Sequence, residues 1–139
     1  MGKRKQPYRP KPFESDGNPS DTSANIYHSM LTSPQYKALS KSAKVLYTYC
    51  KAQYYAEKKK PVPKHESLTE SESQRCFTMN MGKWRDEYEI YTNRAQFYKD
   101  MGALMEMGFI DLVEDGKTTR TKSVYMFSDR WKRDGYKPP

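Results

Sequence analysis

The chain has 139 residues, a formal charge of +8, and 30% charged against 35% hydrophobic residues. One domain is the expectation at that length, and no apolar run approaches the roughly 18 residues of a membrane-spanning helix. Leu, Ile, Val and Phe contribute so few side chains that disorder would follow, but twelve Tyr and eight Met add large groups able to line a core.

In chain order, residues 1–24 hold Pro7, Pro10, Pro12 and Pro19 among many charges and few buryable side chains. They read as a disordered basic arm. Met1 to Lys11 has no apolar stretch behind it, so it does not read as a secretory leader, and a cytoplasmic protein is expected. Residues 25–131 read as the folded domain and 132–139 as a flexible tail. Ser33-Pro34 predicts an N-cap and first-turn proline for a short helix to Ala38. A longer helix is predicted from Lys41 to about Ala56, with Ala43, Leu46, Tyr47, Cys50 and Tyr54 on one face. Lys41, Lys44, Lys51 and Lys58 fall largely off that face, and Pro61 ends the element.

Residues 61–76 are polar and proline-bearing, and read as a long loop with room for one helical turn. Phe77-Thr78-Met79 suits a short strand. Asn80 then caps a predicted helix from Met81 to about Tyr88, and Glu89 to Thr92 breaks the pattern. A second helix is predicted from Asn93 to Met107. Asn93 and Gln96 form a capping-box-like pair, with Thr92 the other candidate cap. Phe97, Met101, Leu104 and Met105 make its apolar stripe, and Gly108 its left-handed terminus. Asp100 and Glu106 are expected on its surface in local ion pairs. Phe109 to Glu114 and Ser123 to Phe127 read as paired strands, with Asp115-Gly116 opening the turn between them. Trp131 is expected to pack back on the domain.

Little in the chain suggests catalysis. It has no phosphate-binding Gly-rich loop, no G-x-S-x-G and no H-E-x-x-H. Cys50, Cys76, His28 and His65 lack paired metal-ligand spacing, so two free thiols, no metal and no cofactor are expected. Tyr91 and Tyr98 lack the His pair that a replication-nicking nucleophile uses. The expectation is a non-enzymatic protein with no small-molecule substrate.

The element order predicts an α+β winged helix-turn-helix: three main helices plus a small antiparallel sheet with a hairpin wing. In that arrangement the second helix of the pair enters the major groove and its first turn meets base edges. Here that turn carries Thr92, Asn93, Arg94 and Gln96, followed by Tyr98 and Lys99, at a helix N-terminus that itself favours anions. The wing, Lys117, Thr118, Thr119, Arg120, Thr121 and Lys122, offers three cations and three hydroxyls to phosphates. Residues 22–60 carry seven Lys against Glu57 alone, which places much of the positive charge around the first long helix.

Two stretches also resemble known families. SPQYKALSKSAKVLYTYC is similar to the opening of N-terminal domains of Gram-positive plasmid replication initiators. YTNRAQFYKDMGALMEMGFIDLVEDGKTTRTKSVYMFSDRW is similar to small winged-helix proteins of Firmicutes mobile elements and phages, most specifically in N-R-x-Q-F-Y-K-D and G-F-I. The resemblance implies a winged helix with a role in replication or regulation, and Asn93, Arg94, Gln96 and Lys99 as recognition-helix residues. Because the chain ends soon after the wing, a stand-alone accessory or regulatory factor is expected. It would be nucleoid- or plasmid-associated in a bacterial cytoplasm, with duplex DNA as partner, compatibly with a homodimer. A protein-interaction module using the same surface is the alternative. A single-strand binder stacking bases on exposed tyrosines is a third class.

Overall fold

Short polar side chains start most of the helices by accepting the first free amide protons. In the computed structural model, which describes residues 9–116 and 122–132, a four-residue turn α1 (His28–Leu31) leads to α2 (Pro34–Lys37). There Ser33 Oγ accepts from the Tyr36 amide at 3.2 Å. Ser40 likewise accepts from Ala43 at 3.1 Å to start α3 (Lys41–Ala56), which buries Ala43, Leu46, Tyr47, Cys50 and Gln53. Tyr54, placed on that face by its spacing, is only half-buried.

The polar 61–76 segment contains one short helix, α4 (Glu70–Gln74). A reciprocal capping box forms between Thr69 and Glu72, and its hydrogen bonds hold the Glu72 carboxyl below the usual glutamate range. Strand β1 is Cys76–Phe77, shifted from the predicted Phe77 to Met79. The ladder stops at Phe77 because the Thr78 amide and hydroxyl donate instead to Glu57 Oε1, at 3.2 and 3.0 Å. The Lys83 ammonium pairs with the same carboxylate.

The predicted Met81–Tyr88 helix is wider than an α-helix. Gly82–Glu87 forms a π-helical turn, with the Tyr88 amide donating to the Lys83 carbonyl at 2.8 Å. Asn80 Oδ1 accepts from the Lys83 amide at 3.2 Å. The chain then turns sharply at Glu89 (φ 52°) into α5 (Arg94–Glu106).

Strands β2 (Ile110–Glu114) and β3 (Val124–Phe127) complete an antiparallel three-stranded sheet of order β1-β3-β2. The register shifts between Leu112 and Glu114, a bulge that re-aims Glu114 inward. Glu114 Oε2 accepts from the Lys64 and His65 amides, at 2.5 and 3.4 Å, and so ties the polar loop to the sheet. The protein is therefore α+β, with α3 and α5 packed together and each resting on the sheet.

Aromatic rings dominate the core. Phe77 stacks on Phe127 (centroids 4.4 Å apart), Tyr47 meets Phe109 at 5.3 Å, and Trp131 packs back on Phe109 at 5.7 Å. Each such pair contributes about 0.5–1.5 kcal/mol beyond burial alone. Burial also pushes the thiols of Cys50 and Cys76 up; both cysteines are free and buried.

Of the expected arm, residues 9–23 are exposed except half-buried Ser15, and bond chiefly among themselves in turns such as Glu14 amide to Lys11 carbonyl (2.8 Å). Arm residues 1–8, wing residues Lys117 to Thr121 and tail residues 133–139 lie outside the described residues.

Gly108 ends α5 at φ 86°, and a Cβ there would lie 2.7 Å from the Trp131 amide nitrogen. Both the conformation and the close approach demand glycine. Gly108→Ala is expected to lower stability by about 2–4 kcal/mol, read from the urea midpoint. An unchanged midpoint would show that the Gly108–Trp131 approach is dispensable.

Candidate nucleic-acid interface

The start of α5 is built around a buried carboxylate. Asp100, expected on the surface, is only 2% exposed. Its Oδ2 accepts from the Tyr91 hydroxyl at 2.6 Å and its Oδ1 from Gln96 Nε2 at 3.1 Å. A carboxylate removed from water requires such donors. Desolvation, reinforced by this bond, pushes the Tyr91 hydroxyl far above the usual tyrosine range, so it remains a donor. The Tyr91 hydroxyl also lies 3.5 Å from the Ser42 carbonyl, linking the loop before α5 to α3. Trp84 stacks on Phe97 at 5.1 Å, and Tyr91 meets both rings edge-on at 6.1 Å.

This network decides which predicted residues face outward. Asn93 is the cap: its Oδ1 accepts from the Ala95 and Gln96 amides at 2.7 and 3.3 Å. The capping-box-like pair does not form, because Gln96 turns to Asp100 and is half-buried. Thr92, Asn93, Arg94, Tyr98 and Lys99 are exposed. Of the wing residues, Lys122 is described and exposed; Lys117, Thr118, Thr119, Arg120 and Thr121 lie outside the described residues.

Arg94 and Lys122, 28 positions apart in sequence, line one open cleft of about 280 Å³. Its apolar side comprises Met79, Met81, Trp84, Phe97 and Tyr125, while Asn80, Tyr98, Gly116 and Ser123 complete the lining. At the hairpin base the Gly116 amide donates to Ser123 Oγ at 2.8 Å. Burial pushes the Tyr125 hydroxyl up to about 12. The side chains of Arg94, Lys99 and Lys122 make no ion pair or hydrogen bond among the described residues.

Much of the charge near α3 is engaged elsewhere. Lys44 lies over Tyr36 (5.7 Å), Lys51 over Phe127 (5.0 Å) and Lys60 over Tyr54 (4.9 Å). Lys37, Lys41, Lys58 and Lys59 remain exposed.

Sequence reasoning missed Asp100, Tyr91 and the aromatic floor under Arg94. The nine-residue separation of Asp100 and Tyr91 spans a turn and matches no helical or strand period. No three His, Cys, Asp or Glu side chains gather as a metal site among the described residues, and no helix there is long and apolar enough to cross a membrane. No family model matches the chain, and neither a curated protein nor a solved structure matches it.

The Tyr91–Asp100 bond is expected to carry measurable stability. Tyr91→Phe should cost about 1.5–3 kcal/mol, the worth of a buried bond to a charged acceptor. A double-mutant cycle with Asp100→Asn in urea should return a coupling of about 1 kcal/mol or more; additive losses would mean that the two groups act independently.

Proposed function

We propose that this is a winged-helix protein that binds duplex DNA through the start of α5 and the β2–β3 hairpin. The order α3, the short α4, β1, π-helical turn, α5, β2, β3 supports the fold reading, as does the sheet order β1-β3-β2, which puts the last strand between the other two. The observation that carries the functional reading is that the Arg94 and Lys122 side chains line one cleft with no partner among the described residues, and that exposed Lys99 lies five residues beyond Arg94 on the same helix. Cations left unpaired beside a helix N-terminus suit a polyanion.

In this reading Arg94 and Lys99 meet the groove and its phosphates, Thr92 and Tyr98 flank them, and Lys117 to Lys122 follow the adjacent backbone. Asn93 Oδ1 and Gln96 are committed to the cap and to Asp100, so they position the helix, leaving the Asn93 amide nitrogen to donate outward. Glu106, at the far end of α5, would repel phosphate and confines the contact to the first half of the helix. The role we assign is an accessory replication or regulatory factor of a mobile element, in keeping with the initiator-like sequence resemblance.

Fluorescence anisotropy with a labelled duplex tests this. Affinity should fall at least about tenfold between about 50 and about 200 mM salt. Arg94→Glu combined with Lys99→Glu should weaken binding at least about tenfold, and Lys122→Ala should reduce the salt slope by about 1. Parental affinity in the charge-reversed variant would overturn the assignment. A stable complex with a protein, and none with DNA at low salt, would favour the interaction-module alternative.

A further inference from the structure

The cleft between α5 and the hairpin base is the wrong shape for a duplex and the right chemistry for one nucleotide. Its volume of about 280 Å³ lies near the lower end of small-ligand sites, enough for a single flat group and its linker. Tyr98, 41% exposed, presents its ring at the wall, and the almost fully buried Trp84, Phe97 and Tyr125 lie at the floor. Asn80 and Ser123 add polar groups of the kind that read a base edge. Arg94 and Lys122 rim the cleft from different elements, and neither has a partner among the described residues. An exposed tyrosine ring between two cations that have no partner among the described residues matches a nucleobase flanked by two phosphates, since every base has a π-face and every linkage a charge. A wholly apolar side chain would leave both cations unmatched, and an isolated phosphate would leave the exposed Tyr98 ring unused.

We propose that this cleft takes one unpaired nucleotide of DNA, at a strand end, a fork or a melted position next to the bound duplex. The inference rests on the duplex-binding reading and extends it. The base inserts beside Tyr98 above the Trp84–Phe97 pair, while Arg94 and Lys122 hold the phosphates on its two sides. Discrimination follows from availability: a paired base must first be unstacked and unpaired, whereas an unpaired one enters without that cost.

The test uses the full chain and two duplexes identical except that one carries a single unpaired 2-aminopurine beside the binding segment and the other has it paired. Anisotropy gives the affinities, and 2-aminopurine emission reports the environment of the base. The expected result is at least about fivefold tighter binding of the unpaired form, with an emission change on binding that the paired form lacks. In Tyr98→Ala that affinity ratio should fall to below about 2, while Tyr98→Phe, which keeps the ring, retains it. Equal affinities for the two duplexes with no emission change would overturn the cleft proposal and leave duplex binding standing. Failure to bind either DNA at low salt would overturn both. Should Tyr98→Ala unfold, the parental comparison and Tyr98→Phe still decide: a ratio lost in Tyr98→Phe would overturn the stacking role.

Discussion

The hydrogen bond from Tyr91 to the buried Asp100 carboxylate organises the outward face of this protein. A carboxylate at 2% exposure must be supplied with donors, and two come from either side of the α5 cap. Meeting that requirement draws Gln96 inward and fixes the loop ahead of α5 against α3. With Gln96 and Asp100 turned inward, Arg94 and Tyr98 fall on the opposite side of the helix, and Lys99 is exposed about 140° round from Arg94. The polar surface of α5 is thus a consequence of how a buried charge is satisfied, in addition to which residues are hydrophobic.

A core poor in aliphatic residues imposes a second constraint. Flat rings pack by stacking and edge contacts, which demand orientation. The π-helical turn Gly82–Glu87 is understandable in those terms. Its wider backbone lets Trp84 lie parallel to Phe97 while the Lys83 ammonium reaches Glu57 and Thr78. Rings that reach the surface also attract cations, and Lys44, Lys51 and Lys60 cover Tyr36, Phe127 and Tyr54. Burial lowers the Lys51 and Lys60 ammonium groups from the usual lysine range. These lysines screen the core, so formal charge overstates what α3 offers a polyanion, and the weight shifts to Arg94, Lys99 and Lys122.

Features carried by local chemistry were legible in the sequence. Ser33, Ser40 and Asn93 cap where short polar side chains precede periodic apolar residues, and Gly108 terminates α5 because only glycine adopts its conformation freely. The α3 stripe follows from spacing alone. What escaped depended on distant partners. Thr78 leaves the strand because Glu57, 21 residues earlier, claims its amide. The bulge at Glu114 follows from the need to tie down Lys64 and His65, a contact 50 residues long. Asp100 looked exposed because its helical neighbours include Lys99; only the fold brings Tyr91 over it. At the candidate site the cations were legible as residue types, but the aromatic floor beneath them was not, because it is assembled from the turn, α5 and β3.

That assembly bears on why a cleft exists between a helix and a hairpin that could have packed together. The hairpin base is held by Glu114, which accepts from the Lys64 and His65 amides, and by the Gly116–Ser123 bond. Gly116 brings no side chain to the gap, and Arg94 and Lys122 place two like charges along it. Apolar packing below and like charge above leave the opening unfilled, because closing it would bury two cations without counter-charges. In the nucleotide-binding proposal, the phosphates would supply that counter-charge and the exposed Tyr98 ring would meet the base.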